Sequence, residues 1–258
     1  MKPYFEVFYK YRFLLQDLII KDLKVKYRRS VLGLLWSILN PLLMMIVVTT
    51  VFSQIFKIKI ENFPIYYLTG STLFNFFSES TSTAMTSILG ASALMKKVYV
   101  PKYIFPLEKV LFSFVNFMFS LIAVIIMYAI LRFPVPWTAV LFFIPSVYVL
   151  IFATGIGLIL SSLSVFFRDI VHLYSVLITA WMYLTPIIYP YDTLPDKIKL
   201  LMQLNPLYYY VSYFRDVTMY GNVPGLRINL VCLAFSFTAL FIGLLVFKAK
   251  QNKFILYI

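Results

Sequence analysis

The sequence predicts an all-α, polytopic membrane protein, and three observations lead there. Apolar runs of roughly 20 residues recur along the 258-residue chain, the length a helix needs to cross the hydrocarbon core of a bilayer. Charged residues are only 13% of the composition, about half the share of a soluble domain. Most Lys and Arg residues sit at the ends of the apolar runs rather than inside them. Helices satisfy their own backbone groups in lipid, and the short alternating segments of a transmembrane barrel are absent. A single domain over 1–258 is therefore expected, with six transmembrane helices. The formal charge of +13 does not point to nucleic acid, because its distribution is that of helix anchors meeting anionic lipid.

The elements follow in order. Residues 4–29 read as an amphipathic helix. Asp17, Lys21, Lys24 and Arg28 share one face at three- and four-residue spacing, while Phe8, Leu15, Leu18 and Ile19 belong largely to the other. Such a helix lies in the membrane interface. Charges interspersed through 1–30 leave no clean apolar core for a cleavable signal peptide. The first span, 31–56, should kink near Pro41, which has no amide donor. The second span, 63–88, is unusually polar; the third covers 110–131, the fourth 138–165, the fifth 171–189 and the sixth 228–247, before a basic tail over 248–258. The connection at 190–227 is long. It predicts a short helix over 196–204, halted by Asn205-Pro206, and a second over 207–220 that ends at Gly221. Tyr208, Tyr209, Tyr210, Tyr213 and Phe214 make it too apolar for a free loop, so it reads as a re-entrant hairpin dipping into the outer leaflet.

Orientation follows from the basic residues. Segments 1–30, 89–109, 166–170 and 248–258 hold sixteen of the 23 Lys and Arg residues, so both termini are expected in the cytoplasm, with the 190–227 hairpin outside.

The motifs carry little catalytic chemistry. No Gly-Lys-Ser/Thr phosphate loop is present, so ATP hydrolysis by that route is not expected of this chain. No His or Cys cluster is spaced for a metal; the lone Cys232 lies in an apolar run, and the lone His172 reads as a packing or interface residue. Glu79 is an acid inside a span and should face the bundle or water. Asn75, Glu79, Ser82, Thr83 and Thr86 share its stripe, either as interhelical glue, the preferred reading for Glu79, or as the lining of a polar path. Ala153, Gly157 and Ser161 form a small-residue row for close helix packing. Residues 94–106 mix lysines with apolar side chains, which predicts a short amphipathic helix that docks on a cytoplasmic partner or rests on headgroups. Tyr and Phe dominate a 19% aromatic fraction, suited equally to interfacial belts and to a conduit that stacks on sugar rings.

Several stretches, in this order, resemble the permease subunits of ABC-2 type exporters, in particular those of polysaccharides and polyol-phosphate polymers (O-antigen, capsule and teichoic acid). They are the 21–41 segment with its basic run, Gly33, Trp36 and Pro41; Tyr67-Leu68-Thr69-Gly70 with Phe76-Phe77; and Lys97-Val98-Tyr99-Val100-Pro101 with Pro106. Further on come Phe166-Phe167-Arg168-Asp169-Ile170, Leu184-Thr185-Pro186-Ile187-Ile188-Tyr189, and Asn205-Pro206-Leu207 with Arg215-Asp216. Phe74 stands where the family often carries Trp.

The resemblance implies a transport subunit rather than an enzyme, in the cytoplasmic membrane of a bacterium or archaeon. It implies a homodimer with two copies of a separate ATPase that holds the ATP and Mg. Asp17, Lys21, Lys24, Arg28, Leu94, Lys96, Lys97, Tyr99, Pro101, Arg168 and Asp169 would dock that ATPase. Trp36, Phe74, Asn75, Phe76, Glu79, Trp181 and Tyr183 would line the substrate pathway. Tyr189, Asn205, Pro206, Tyr209, Tyr213 and Arg215 would form the outer gate. Lys26, Arg28 and Arg29 lie where the headgroup of a lipid-linked glycan would sit, although a positive-inside anchor accounts for them equally and is preferred. Arg168-Asp169 reads either as a coupling element or as a helix cap with an ion pair. The alternatives are a permease for a drug or other lipid, a passive channel, and a membrane-embedded glycosyl- or acyltransferase, for which the catalytic carboxylates are sparse.

Overall fold

The computed structural model describes the backbone of residues 2–28, 30–55 and 60–257, with the side chains of residue 6 and of 9–28, 30–53 and 60–257. Arg29 and the side chain of Phe8 lie outside the described residues. Among those described the chain is helical, with no strand. Helix α1 (Lys2–Tyr27) is followed by a turn at Gly33, whose φ of 47° is in the left-handed region that favours glycine. Helix α2 (Trp36–Thr49) carries Pro41 inside it and continues as a wider π turn over Thr50–Ile55. Asn62, at φ 51°, swings the chain into α3 (Phe63–Gly90), with Pro64 pre-setting its first turn. Next come α4 (Ser92–Met95), α5 (Ile104–Ile130), α6 (Phe143–Phe166) and α7 (Ile170–Tyr183). Then follow α8 (Asp196–Met202), α9 (Pro206–Arg215) with a π turn over Asp216–Tyr220, and α10 (Leu226–Lys250) with a 3-10 tail over Gln251–Leu256.

Among the described residues, four helical stretches are long and apolar enough to cross a membrane: Gly33–Ser53, Ile104–Ile130, Trp137–Phe166 and Leu226–Leu256. Helix α3 is as long but too polar to be one of them, and it sits in the middle, packed against α2, α5, α6, α7 and α9. Several of its hydroxyls bond back within the helix: Thr69, Thr72 and Thr81 donate to the carbonyls of Ile65, Leu68 and Phe77 at 2.7–2.9 Å, although the buried Ser80 hydroxyl has no partner. A threonine that bonds back to its own helix hides its polarity from apolar neighbours, which lets a polar sequence occupy the centre of the bundle.

The core has two main parts, with a small third where Met85, Leu160 and Tyr174 meet. The larger surrounds the first half of α3 and takes in the end of α5, the start of α6, and α9. The smaller, at the opposite end, joins Leu15 of α1, Ile88 of α3, Val100, Ile104 and Phe105, Val165 of α6, and Phe247 and Phe254 of the C-terminal segment. The two ends of the described chain are thus joined at one end of the bundle.

The row Ala153, Gly157 and Ser161 is buried, and a Cβ on Gly157 would come within 2.9 Å of Ala84 on α3. A tighter approach lies one face away. A Cβ on Gly155 would overlap the carbonyl of Ala239, and one on Gly243 the carbonyl of Gly155, so α6 and α10 cross backbone to backbone.

Three boundaries differ from the sequence expectation. Helix α7 stops at Tyr183, not at 189: Thr185 precedes Pro186 and is biased away from helix, while Asn205 Nδ2 caps the Leu184 carbonyl at 3.1 Å. The connection between α3 and α5 is helical only over Ser92–Met95, so the short helix expected within 94–106 does not form beyond that turn, and Pro101 disfavours helix at the residue before it. Helix α5 begins at Ile104, about a turn and a half before the span expected from 110, and Pro106 in its first turn is the residue that marks the start.

Candidate functional site

The sequence candidates fall into three places. The first is a cavity of about 350 Å3 between the end of α1, the start of α2, and the middles of α3 and α5. Trp36, Asn40, Asn75, Phe76, Glu79 and Asn116 line it, together with Lys26. Lys26 Nζ lies 2.8 Å from Glu79 Oε1, and both side chains are more than a third exposed. The pair links the interface helix to the central helix. Tyr27 donates to Asn116 Oδ1 at 3.0 Å and shares a short hydrogen bond with Ser37. Asn116 is buried and its Nδ2 has no partner, leaving one polar donor free at the cavity wall. Of the expected pathway residues, Trp36, Asn75, Phe76 and Glu79 meet here. Phe74 is buried in the core, Tyr183 is exposed on α7, and Trp181 packs edge-on against Phe77 and Phe152.

The second place is the end of the bundle that holds the smaller core cluster. Asp17, Lys21, Lys24 and Arg28 line an open groove on the exposed side of α1, while Leu15 on the opposite side is buried. Tyr11 donates to the Tyr99 carbonyl at 3.3 Å, which sets α1 beside the connection between α3 and α5. There Leu94, Lys96 and Lys97 are exposed, Tyr99 is 92% exposed, and Pro101 is half-buried. Lys102 donates to the Gln251 carbonyl at 2.6 Å, and partial burial lowers its pKa below the usual lysine value. Arg168 and Asp169 are exposed at the turn between α6 and α7. Asp169 is the N-cap residue of α7 and its side chain makes no capping hydrogen bond, and no ion pair joins it to Arg168 among the described residues.

Beside this face Lys109 of α5 pairs with Asp22 of α1 and lies 3.4 Å from Glu108. Glu108 is 3% exposed, with Oε1 unpartnered. The sequence reading missed it because it began the span at 110, and Pro106 was the signal that helix and burial start earlier.

The third place joins Arg215 to the 184–190 segment. The guanidinium is buried, donates to the carbonyls of Pro186 at 2.6 Å, Tyr66 at 2.9 Å and Ile187 at 3.2 Å, and lies 3.5 Å from the Tyr66 ring centroid. Gly70 leaves the space, since a Cβ there would overlap the guanidinium. Tyr66 donates to the Tyr189 carbonyl at 2.9 Å. Asn205 accepts from Trp181 Nε1 at 2.7 Å and from the Leu207 amide at 3.0 Å, and donates to Thr185 at 3.1 Å, while Pro206 opens α9. Tyr213 donates to Asn229 of α10 at 3.1 Å, and Tyr209 packs on Phe235. Arg215 therefore fastens α9 to α3 and to the chain after α7.

Three relatives set these places in context. The O-antigen export system permease protein RfbA of Myxococcus xanthus is 30% identical over 249 residues, 95% of this chain and 95% of that protein. The protein of the same name in Klebsiella pneumoniae is 31% identical over 236 residues, 91% and 90% of the two chains. The polysialic acid transport protein KpsM of Escherichia coli is 22% identical over 249 residues, 92% and 93% of the two chains. Residues 14–219 match the ABC-2 type transporter family, a stretch that holds most residues of the three places, and this chain belongs to that family.

Proposed function

We propose that this chain is the transmembrane permease subunit of an ABC exporter that moves a lipid-linked polysaccharide across the cytoplasmic membrane, driven by a separate ATPase subunit. The observation that carries this reading is the likeness, over nine-tenths or more of both chains, to permeases named for O-antigen export. On this reading α2, α3, α5, α6, α7 and α10 make six passes, which puts both ends of the chain on one side, and the sharing of one core cluster by Leu15 and Phe254 supports it. Helix α7, about 21 Å long at 1.5 Å per residue, crosses only part of a core of about 30 Å. The 184–220 hairpin completes that pass as a gate in the outer leaflet.

Two copies of the chain enclose the pathway. The exposed sides of α2 and α7 supply its apolar walls, and the cavity at Lys26 and Glu79 admits the polar part of the substrate from the inner leaflet. The exposed groove of α1, the 94–101 segment and the Arg168 turn form the seat for the ATPase, and Lys109–Asp22 and Lys26–Glu79 pass its motion to α5 and α3.

The test is a mild-detergent pull-down of the tagged chain from its host, with mass spectrometry of what remains bound, paired with depletion of the chain. Equal recovery of an ATPase and accumulation of a lipid-linked polymer inside the membrane are expected. A chain recovered alone, with no polymer accumulating, refutes the reading.

A further inference from the structure

We propose that a tyrosine-walled cleft beside the outer hairpin is a binding site for a neutral glycan, separate from the Lys26–Glu79 cavity. The proposal rests on the reading of this chain as a glycan exporter. The cleft encloses about 360 Å3 between the 186–192 segment, α9, the π turn after it and the start of α10. That is within the range of small-ligand sites, about 300–1,000 Å3. Tyr66, Tyr191, Tyr208, Tyr209, Tyr213 and Tyr220 wall it.

The rings are pre-set. Tyr191 and Tyr208 stack at 4.9 Å between centroids, Tyr209 meets Tyr208 edge-on at 5.2 Å, and Lys199 lies 5.9 Å from the Tyr191 centroid. Tyr191, Tyr208 and Tyr209 are half-buried, so each keeps surface free. Asp192 and Asp216 also line the cleft, and neither forms an ion pair among the described residues.

This set of groups matches a sugar. A pyranose presents apolar C–H faces and a rim of hydroxyl donors. Tyrosine supplies rigid amphipathic contact at low entropic cost, and a carboxylate has two oxygens to accept a pair of hydroxyls. Charge narrows the class. Asp192 and Asp216 line the cleft against Arg215, which already donates to three carbonyls, while Lys199 beside Tyr191 lies 3.8 Å from Asp196, so the cleft offers no spare cluster of cations to a polyanionic polymer. A quaternary ammonium ligand fits less well, because the guanidinium of Arg215 already covers the Tyr66 ring.

The experiment uses the full chain in lipid nanodiscs. The host's surface polysaccharide, released by mild acid, is split by anion exchange into neutral and anionic pools, and binding of each pool and of choline is measured by calorimetry. The wild type is expected to bind the neutral pool with a Kd under about 1 mM. Tyr208→Ala and Asp192→Asn, compared at equal melting temperature, should each weaken binding about tenfold or more, whereas Tyr208→Phe, which keeps the ring, should stay within about threefold. Absence of binding, equal binding by Tyr208→Ala and Asp192→Asn, or preference for the anionic pool or choline overturns the proposal. A chain that recovers its ATPase and exports polymer yet binds neither pool overturns the cleft alone. Loss of the ATPase and of polymer accumulation instead refutes the exporter reading.

Discussion

At the scale of the residue, Arg215 explains why separated motifs occur together. Gly70 gives the guanidinium room, Pro186 and Ile187 offer carbonyls that a proline turn has freed, and Tyr66 offers both a carbonyl and a ring face. The sequence marked each of these stretches but not their meeting, since the bonds reach from Arg215 back 28 to 149 residues and no local spacing reports that distance. Arg215→Met should lower stability by about 3 kcal/mol, because it leaves three carbonyls unpaired in a buried place. Arg215→Lys should recover only part of it, since an ammonium lacks the planar fork that reaches several acceptors. Melting of the purified chain in detergent reads both. A Lys variant as stable as the wild type would remove the fork from the explanation.

At the scale of the element, the interface helix is tied to the bundle by Lys26–Glu79 and Lys109–Asp22. Glu79 and its polar stripe were legible because an acid in a span must find water or a partner. Lys26 as that partner was not, because it belongs to a different helix. The first pair is more than a third exposed, so its stability value is under about 1 kcal/mol. Glu79→Gln should therefore leave melting nearly unchanged while reducing polymer export, and unaltered export would take the cavity off the substrate route. Reversal of Lys21, Lys24 and Arg28 to Glu should cut ATPase recovery about tenfold or more, because surface charge governs docking more than folding. Intact recovery and export would cost α1 its docking role. Gly155→Ala should destabilise by about 1–3 kcal/mol through overlap with α10, read as a lower melting temperature. The small-residue row Ala153, Gly157 and Ser161 was visible at four-residue spacing, yet the decisive Gly155–Gly243 contact lies outside it and joins helices far apart in sequence.

At the scale of the whole molecule, the helical class and most of the element order were legible, because apolar length and basic flanks are dictated by the bilayer. What stayed hidden depends on contacts between ends. Phe254, fully buried against Phe166 and Phe247, joins the C-terminal tail to the segments that surround α1. Phe254→Ala should cost that cluster about 3 kcal/mol and raise amide exchange in α1, while the Arg215 end stays protected. Uniform loosening of both ends would mean that the two core clusters are one cooperative unit.

The backbone contact of α6 with α10 has a mechanical consequence. Two helices locked at a pair of glycines cannot slide past each other without carbonyls colliding, so they behave as a fixed post. Helices α2 and α7, with only Met45 and Tyr174 buried along their lengths, have no such lock. On the exporter reading, the packing favours a swing of two loosely held arms about a stationary mast, a hinge motion rather than a shear.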